Sequence, residues 1–104
     1  SGAAYGGDKG IIAFGFLNDA NVNTINLVSN VGVIASDTSG TGTARRAGTG
    51  TQYGADKGIF LCGNSSGAFG GSNLVSNTGV VASDTSAVAT ARYYPAAAGY
   101  SYSA

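Results

Sequence analysis

"NLVSNVGVIASDTSGTGTAR", residues 26–45, returns as "NLVSNTGVVASDTSAVATAR", residues 73–92, and the reading of that pair decides the fold. The copies differ only at Val31/Thr78, Ile34/Val81, Gly40/Ala87, Thr41/Val88 and Gly42/Ala89. Upstream, "YGGDKGIIAFG" at 5–15 matches "YGADKGIFLCG" at 53–63. The offset is 48 in the upstream block and 47 in the downstream one, so one residue is lost between them. The loss falls in "FLNDANVNTI" against "NSSGAFGGS", the one part where the copies are unlike, which predicts a surface loop on a fixed scaffold. A fixed period of this length marks a repeat architecture, in which each unit leans on its neighbours. A third copy also begins, since Tyr100 lies 47 residues after Tyr53. The organisation is therefore repeat 1 at 1–48, repeat 2 at 49–95, and an overhang at 96–104 in the phase of residues 1–9. That overhang is expected to complete or swap with a neighbouring repeat.

Within each copy, β-branched and aromatic residues cluster in short runs bounded by Gly, Asn, Asp and Ser, which predicts strands and no helix. Four strands per repeat are expected: "SGAAY" with "GTGTQY", "GIIAFGF" with "GIFLCG", "TINLV" with "SNLV", and "GVIAS" with "GVVAS". The Asp-Lys-Gly links read as hairpin turns, and "SNVG" and "SNTG" as a second pair with Asn30 and Asn77 at the left-handed positions. Alternation along the strands selects Ile11, Ala13, Leu27, Val33 and Ala35, with Ile59, Leu61, Leu74, Val80 and Ala82, as the core.

Composition restricts the function classes. The 104 residues carry five acidic and five basic side chains, with no His and no Glu. This balance lacks the footprint of a nucleic-acid binder, and no run of 18 apolar residues exists to insert into a membrane. Without His or Glu, no Ser-His-Asp or Cys-His arrangement and no imidazole metal site can be assembled within one chain. A non-enzyme without cofactor or bound metal is expected. Cys62 stands alone and aligns with Phe14, which places it in the core. The absence of Met predicts a processed product or a piece of a longer polypeptide. Abundant Gly, Ser, Thr and Asn with scarce Lys predict an extracellular or virion surface.

Four strands in about 47 residues have the size of a propeller blade. The order of features resembles the kelch-like repeat in particular. Arg45 and Arg92 stand before a small-residue strand, followed by a Tyr-Gly turn, an apolar strand ending in Gly15 or Gly63, a variable loop and a final hairpin. The wording also looks like that of tandem units in large phage and bacterial surface proteins. The chain departs from kelch where Phe16 and Asn64 replace a second Gly, and it has no Trp. The resemblance implies an all-β multi-blade propeller.

The remaining polar residues are read as structural. Asp8 and Asp56 sit beside Lys9 and Lys57 in turns, where an Asp stabilises the backbone. Asp37 and Asp84, flanked by hydroxyls, are read as turn residues that pair with Arg45 and Arg92, in preference to a weak calcium site. Tyr93, Tyr94, Tyr100 and Tyr102 crowd the C-terminal end and are the interface candidates, since Tyr supplies contact area at low entropic cost. Two repeats leave sheet edges and faces open, so the expected partner is another copy, in a ring or a head-to-tail fibre. The alternative is a lectin-like module whose tyrosines stack on glycans.

Overall fold

The computed structural model describes residues 1–99. It is all-β, with two three-stranded antiparallel sheets of order β1-β2-β3 and β4-β5-β6. Repeat 1 supplies β1 (Gly2–Tyr5), β2 (Lys9–Leu17) and β3 (Ala20–Val28). Repeat 2 supplies β4 (Thr49–Tyr53), β5 (Lys57–Asn64) and β6 (Ala68–Val75). The fourth run of each repeat lies against β3 or β6 only through isolated bridges: Val28–Ile34 and Ile25–Thr38, then Val75–Val81 and Ser72–Thr85. Between its two bridges the outer run advances four residues while its partner strand advances three. One residue too many opposes the ladder, which breaks continuous pairing.

The turns follow from local chemistry. Gly6 and Gly7 (φ 63° and 81°) close the first hairpin, and Gly54 and Ala55 (φ 62° and 74°) close its copy. The expected surface loop of repeat 1 is instead a continuation of the β2–β3 hairpin. Leu17 pairs with Ala20 across Asn18 and Asp19, both left-handed, as a two-residue turn requires. In the last turn of each repeat the left-handed residues are Gly32 and Gly79, not Asn30 and Asn77. The asparagine side chains are used elsewhere: Asn30 Nδ2 donates to Asp8 (2.9 Å) and Asn77 Nδ2 to Asp56 (3.0 Å), tying two turns together in each unit.

The units stack, with β1 lying on β4 and β5. Close approach is possible because a Cβ on Gly58 would stand 2.9 Å from the Ala4 carbonyl oxygen, and one on Gly50 2.5 Å from that of Gly2. The core joins Tyr5, Ile11, Ala13, Phe14 and Ile25 of repeat 1 to Phe60, Val75 and Val81 of repeat 2. This corrects the expected core. Ile11 and Ala13 are buried and Leu27 packs partly, but Leu74 and Val80 are exposed and Ile59 and Leu61 only half-buried. Val33, Ala35 and Ala82 are also exposed. The reason is that the units stack front to back, so repeat 1 buries one face of its sheet and repeat 2 the opposite one.

A size exchange accompanies the duplication. Gly40 lies on the backbone of Asn23, where any Cβ would overlap the Asn23 carbonyl. Repeat 2 has Ala87 at the equivalent position, and it packs over Gly70, where a Cβ would come within 2.9 Å of the Ala87 methyl.

Candidate self-association interface

The contact between the units is built on a bulge and an arginine. In β2 the ladder passes from Ala13–Ile25 to Gly15–Val22, and in β5 from Leu61–Ser72 to Gly63–Phe69. Phe14 and Cys62 therefore each face two residues, and both adopt left-handed backbone (φ 65° and 61°). A non-glycine residue in that region is strained and persists only when its surroundings fix it. The fixing contacts are visible here. The Gly15 N–H donates to the Arg45 carbonyl and the Gly63 N–H to the Arg92 carbonyl, each at 2.9 Å.

Arg45 is 1% exposed and crosses from repeat 1 into repeat 2. Its Nε donates to the Cys62 carbonyl at 2.7 Å, and its Nη1 to the Thr43 carbonyl at 3.1 Å. The guanidinium carbon lies 4.0 Å from the ring centre of Phe14 and 4.6 Å from that of Phe69. Phe14 in turn meets Phe60 edge to face at 5.4 Å. Nη2 is buried without a hydrogen-bond partner, so the ring faces carry part of the compensation for its lost hydration. Burial lowers the pKa of the group, while the charge of Asp84 acts to raise it. Arginine remains charged throughout the accessible pH range.

Further polar ties cross the same boundary. Asp84 accepts from the backbone N–H and hydroxyl of Thr43 across it, and from Asn73 Nδ2 of its own repeat at 2.9 Å. Gly6 N–H donates to the Asp56 carbonyl at 2.6 Å. Asn21 Nδ2 donates to the Ser65 carbonyl at 2.7 Å. Asp84 is opposed by its own burial, which raises its pKa, but the bonds from Thr43 and Asn73 and the nearby Arg45 outweigh it and leave the pKa lowered.

The residues singled out by sequence divide as follows. Asp8 and Asp56 bond Lys9 and Lys57 and also Asn30 and Asn77. These bonds depress both carboxyl pKa values, led by Lys9 for Asp8 and by Asn77 for Asp56. Asp37 takes Asn26 Nδ2 at 2.8 Å in place of the expected Arg45. It is Asp84, of the following repeat, whose charge acts on Arg45. Arg92 is exposed and bonds the Thr90 carbonyl at 3.1 Å. Tyr93 and Tyr94 are exposed and stack edge to face on each other at 5.5 Å. Tyr100 and Tyr102 lie outside the described residues.

Sequence reasoning missed Phe69, Thr43 and Asn73 at this boundary, and it missed the second apolar face of β2. A signal for that face was present. Ile11, Ile12, Ala13 and Phe14 run without a polar break, the pattern of a strand covered on both sides. No protein-family model matches this chain, and no curated protein matches it.

Proposed function

We propose that the protein is a non-enzymatic assembly module of kelch-like blade repeats. It self-associates into a multi-blade propeller or head-to-tail fibre, displayed on an extracellular or virion surface. The reading rests on one observation: the same repeat position is buried in one copy and bare in the other. Phe60 is 1% exposed and its counterpart Ile12 is 44%; Val81 is 7% exposed and its counterpart Ile34 is 61%. A Cβ on Gly79 would stand 3.1 Å from Tyr5 and Leu27, whereas one on Gly32 would meet nothing within 4 Å. On the other side, Tyr5 is buried while Tyr53 is exposed, and Arg45 is buried while Arg92 is exposed.

Each unit thus carries two apolar faces, and a pair of units can cover only one of each. Bare Ile12 and Ile34 on one end and Leu74, Tyr53 and Val80 on the other support a further neighbour at both. Repeat arrays stack until such faces are capped. Sedimentation velocity over a hundredfold concentration range tests the reading. The expected result is a mass that rises in multiples of the 10.1 kDa chain. A single 10.1 kDa species throughout would overturn it.

A further inference from the structure

We propose that the contact between copies has a defined polarity: Arg92 of one copy enters the first sheet of the next beside its Phe14 carbonyl, as Arg45 enters the second sheet beside Cys62. This rests on the self-association reading and adds to it the residues, their direction and a joint that neither copy completes alone. The donor end is already formed. Arg92 Nη1 bonds the Thr90 carbonyl at 3.1 Å, matching Arg45 Nη1 on Thr43 at 3.1 Å. Its carbonyl accepts from Gly63 at 2.9 Å, matching Arg45 and Gly15 at 2.9 Å. The same hook is set in both copies, and on Arg45 the Nε crosses to the Cys62 carbonyl of the next sheet.

The acceptor end is formed as well. Phe14 and Gly15 (φ 65° and 137°) reproduce the bulge of Cys62 and Gly63 (φ 61° and 124°), so the Phe14 carbonyl is the equivalent of the one Arg45 holds. Asp37 is equivalent to Asp84, which receives Thr43, and Thr90 is equivalent to Thr43. Gly54 and Asp8 are equivalent to the bonded pair Gly6 and Asp56. The two end faces are different surfaces, so their union is heterologous and propagates in one direction, as a ring or a fibre.

The joint between copies is a weaker version of the internal one. The ladder places Val22 opposite Gly15 where Phe69 stands opposite Gly63, and Cys62 replaces Phe14, so Arg92 meets neither of the ring faces that sandwich Arg45. Ala89 also replaces Gly42, where a Cβ would come within 2.5 Å of Asn73 Nδ2. The incoming β1 further needs the place held by residues 95–99, which follow a bond from Tyr94 N–H to the Ala47 carbonyl (2.7 Å) and bring Gly99 against Gln52. β1 is fixed by four ladder pairs and the buried Tyr5, so the tail yields to it.

Complementary blocking tests the polarity. Arg92→Ala with Leu74→Asp blocks one end of the full chain, and Ile34→Asp blocks the other. All three sites are exposed, and circular dichroism with thermal melting checks that each variant stays folded; Ile12→Asp replaces Ile34→Asp should that one unfold. Each variant alone is expected to sediment as a monomer, and an equimolar mixture as a dimer. Arg92→Ala alone should raise the dissociation constant of the wild-type joint about tenfold or more. If one blocked variant self-associates as the wild type does, or if the mixture stays monomeric while the wild type associates, the head-to-tail joint is wrong and self-association survives. If the wild type never associates, the underlying reading fails with it.

Discussion

Replacing Arg45 by alanine should be far more damaging than the same change at Arg92, although the two occupy identical places in their repeats. Arg45→Ala deletes hydrogen bonds of 2.7 and 3.1 Å from a buried cation, each worth about 1.5–3 kcal/mol. It also removes contact with two rings, about 1 kcal/mol each, and leaves the Cys62 carbonyl unpaired beside a void. The opposing saving is the desolvation of the guanidinium, several kcal/mol. The balance is a loss of about 3–5 kcal/mol, comparable with the whole stability of a small domain. It corresponds to a fall in Tm of roughly 20 °C. Arg92→Ala, on an exposed side chain, should stay within about 0.5 kcal/mol of wild type. Arg45→Met, which fills space and removes the charge, should cost less than alanine. The assay is thermal unfolding followed by circular dichroism, at a concentration where the wild type sediments as a monomer. Equal shifts for Arg45→Ala and Arg92→Ala would refute the assignment of Arg45 as the tie between the sheets.

Gly58→Ala should destabilise the protein by about 1–3 kcal/mol, because its Cβ would press on the Ala4 backbone. Gly10→Ala at the matching position, with nothing nearer than 3.6 Å, should be tolerated, and paired urea titrations compare them. The Asp84 carboxyl is depressed in the folded state, so its contribution is present above the unfolded value of about 4 and is lost as pH falls through the lower folded value. Asp84→Asn should accordingly flatten the acid limb of a stability–pH profile, and an unchanged limb would remove Asp84 from the account. Deleting residues 96–104 should leave the two repeats folded and strengthen self-association by clearing the place of an incoming β1. Loss of assembly in the truncated chain would instead identify the overhang as a strand donated to the neighbour.

The repeat, the first three strand runs of both copies and the first hairpin turn were legible because each is written in local chemistry: Gly and Asp at turns, β-branched runs between them. Which face of each sheet is buried was not legible from alternation alone. Ile12 and Phe60 occupy one position, and only the front-to-back stacking of the units makes one bare and the other core. The left-handed places of Phe14 and Cys62 carry no sequence mark, since the conformation is imposed by the bulge and by the arginines that use it. Asn30 looked like a turn residue by composition, yet its side chain is committed to Asp8, and the turn is left to Gly32. The fourth run has strand-like residues, but a single surplus residue against β3 denies it a continuous ladder.

The exchange of bulk between Gly40 on Asn23 and Ala87 on Gly70 bears on how such a duplicated chain is inherited. Nearly identical tandem segments invite recombination, and a crossover within the shared block would splice the first half of one unit to the second half of the other. A hybrid carrying Asn23 with Ala87 drives a methyl group into the Asn23 carbonyl, while the reciprocal hybrid leaves Gly40 facing Gly70 across an unfilled gap. Neither product packs as well as its parents. Matched wear in two neighbouring parts thus guards the order of the units, and it disfavours the homogenisation that would otherwise make the copies identical.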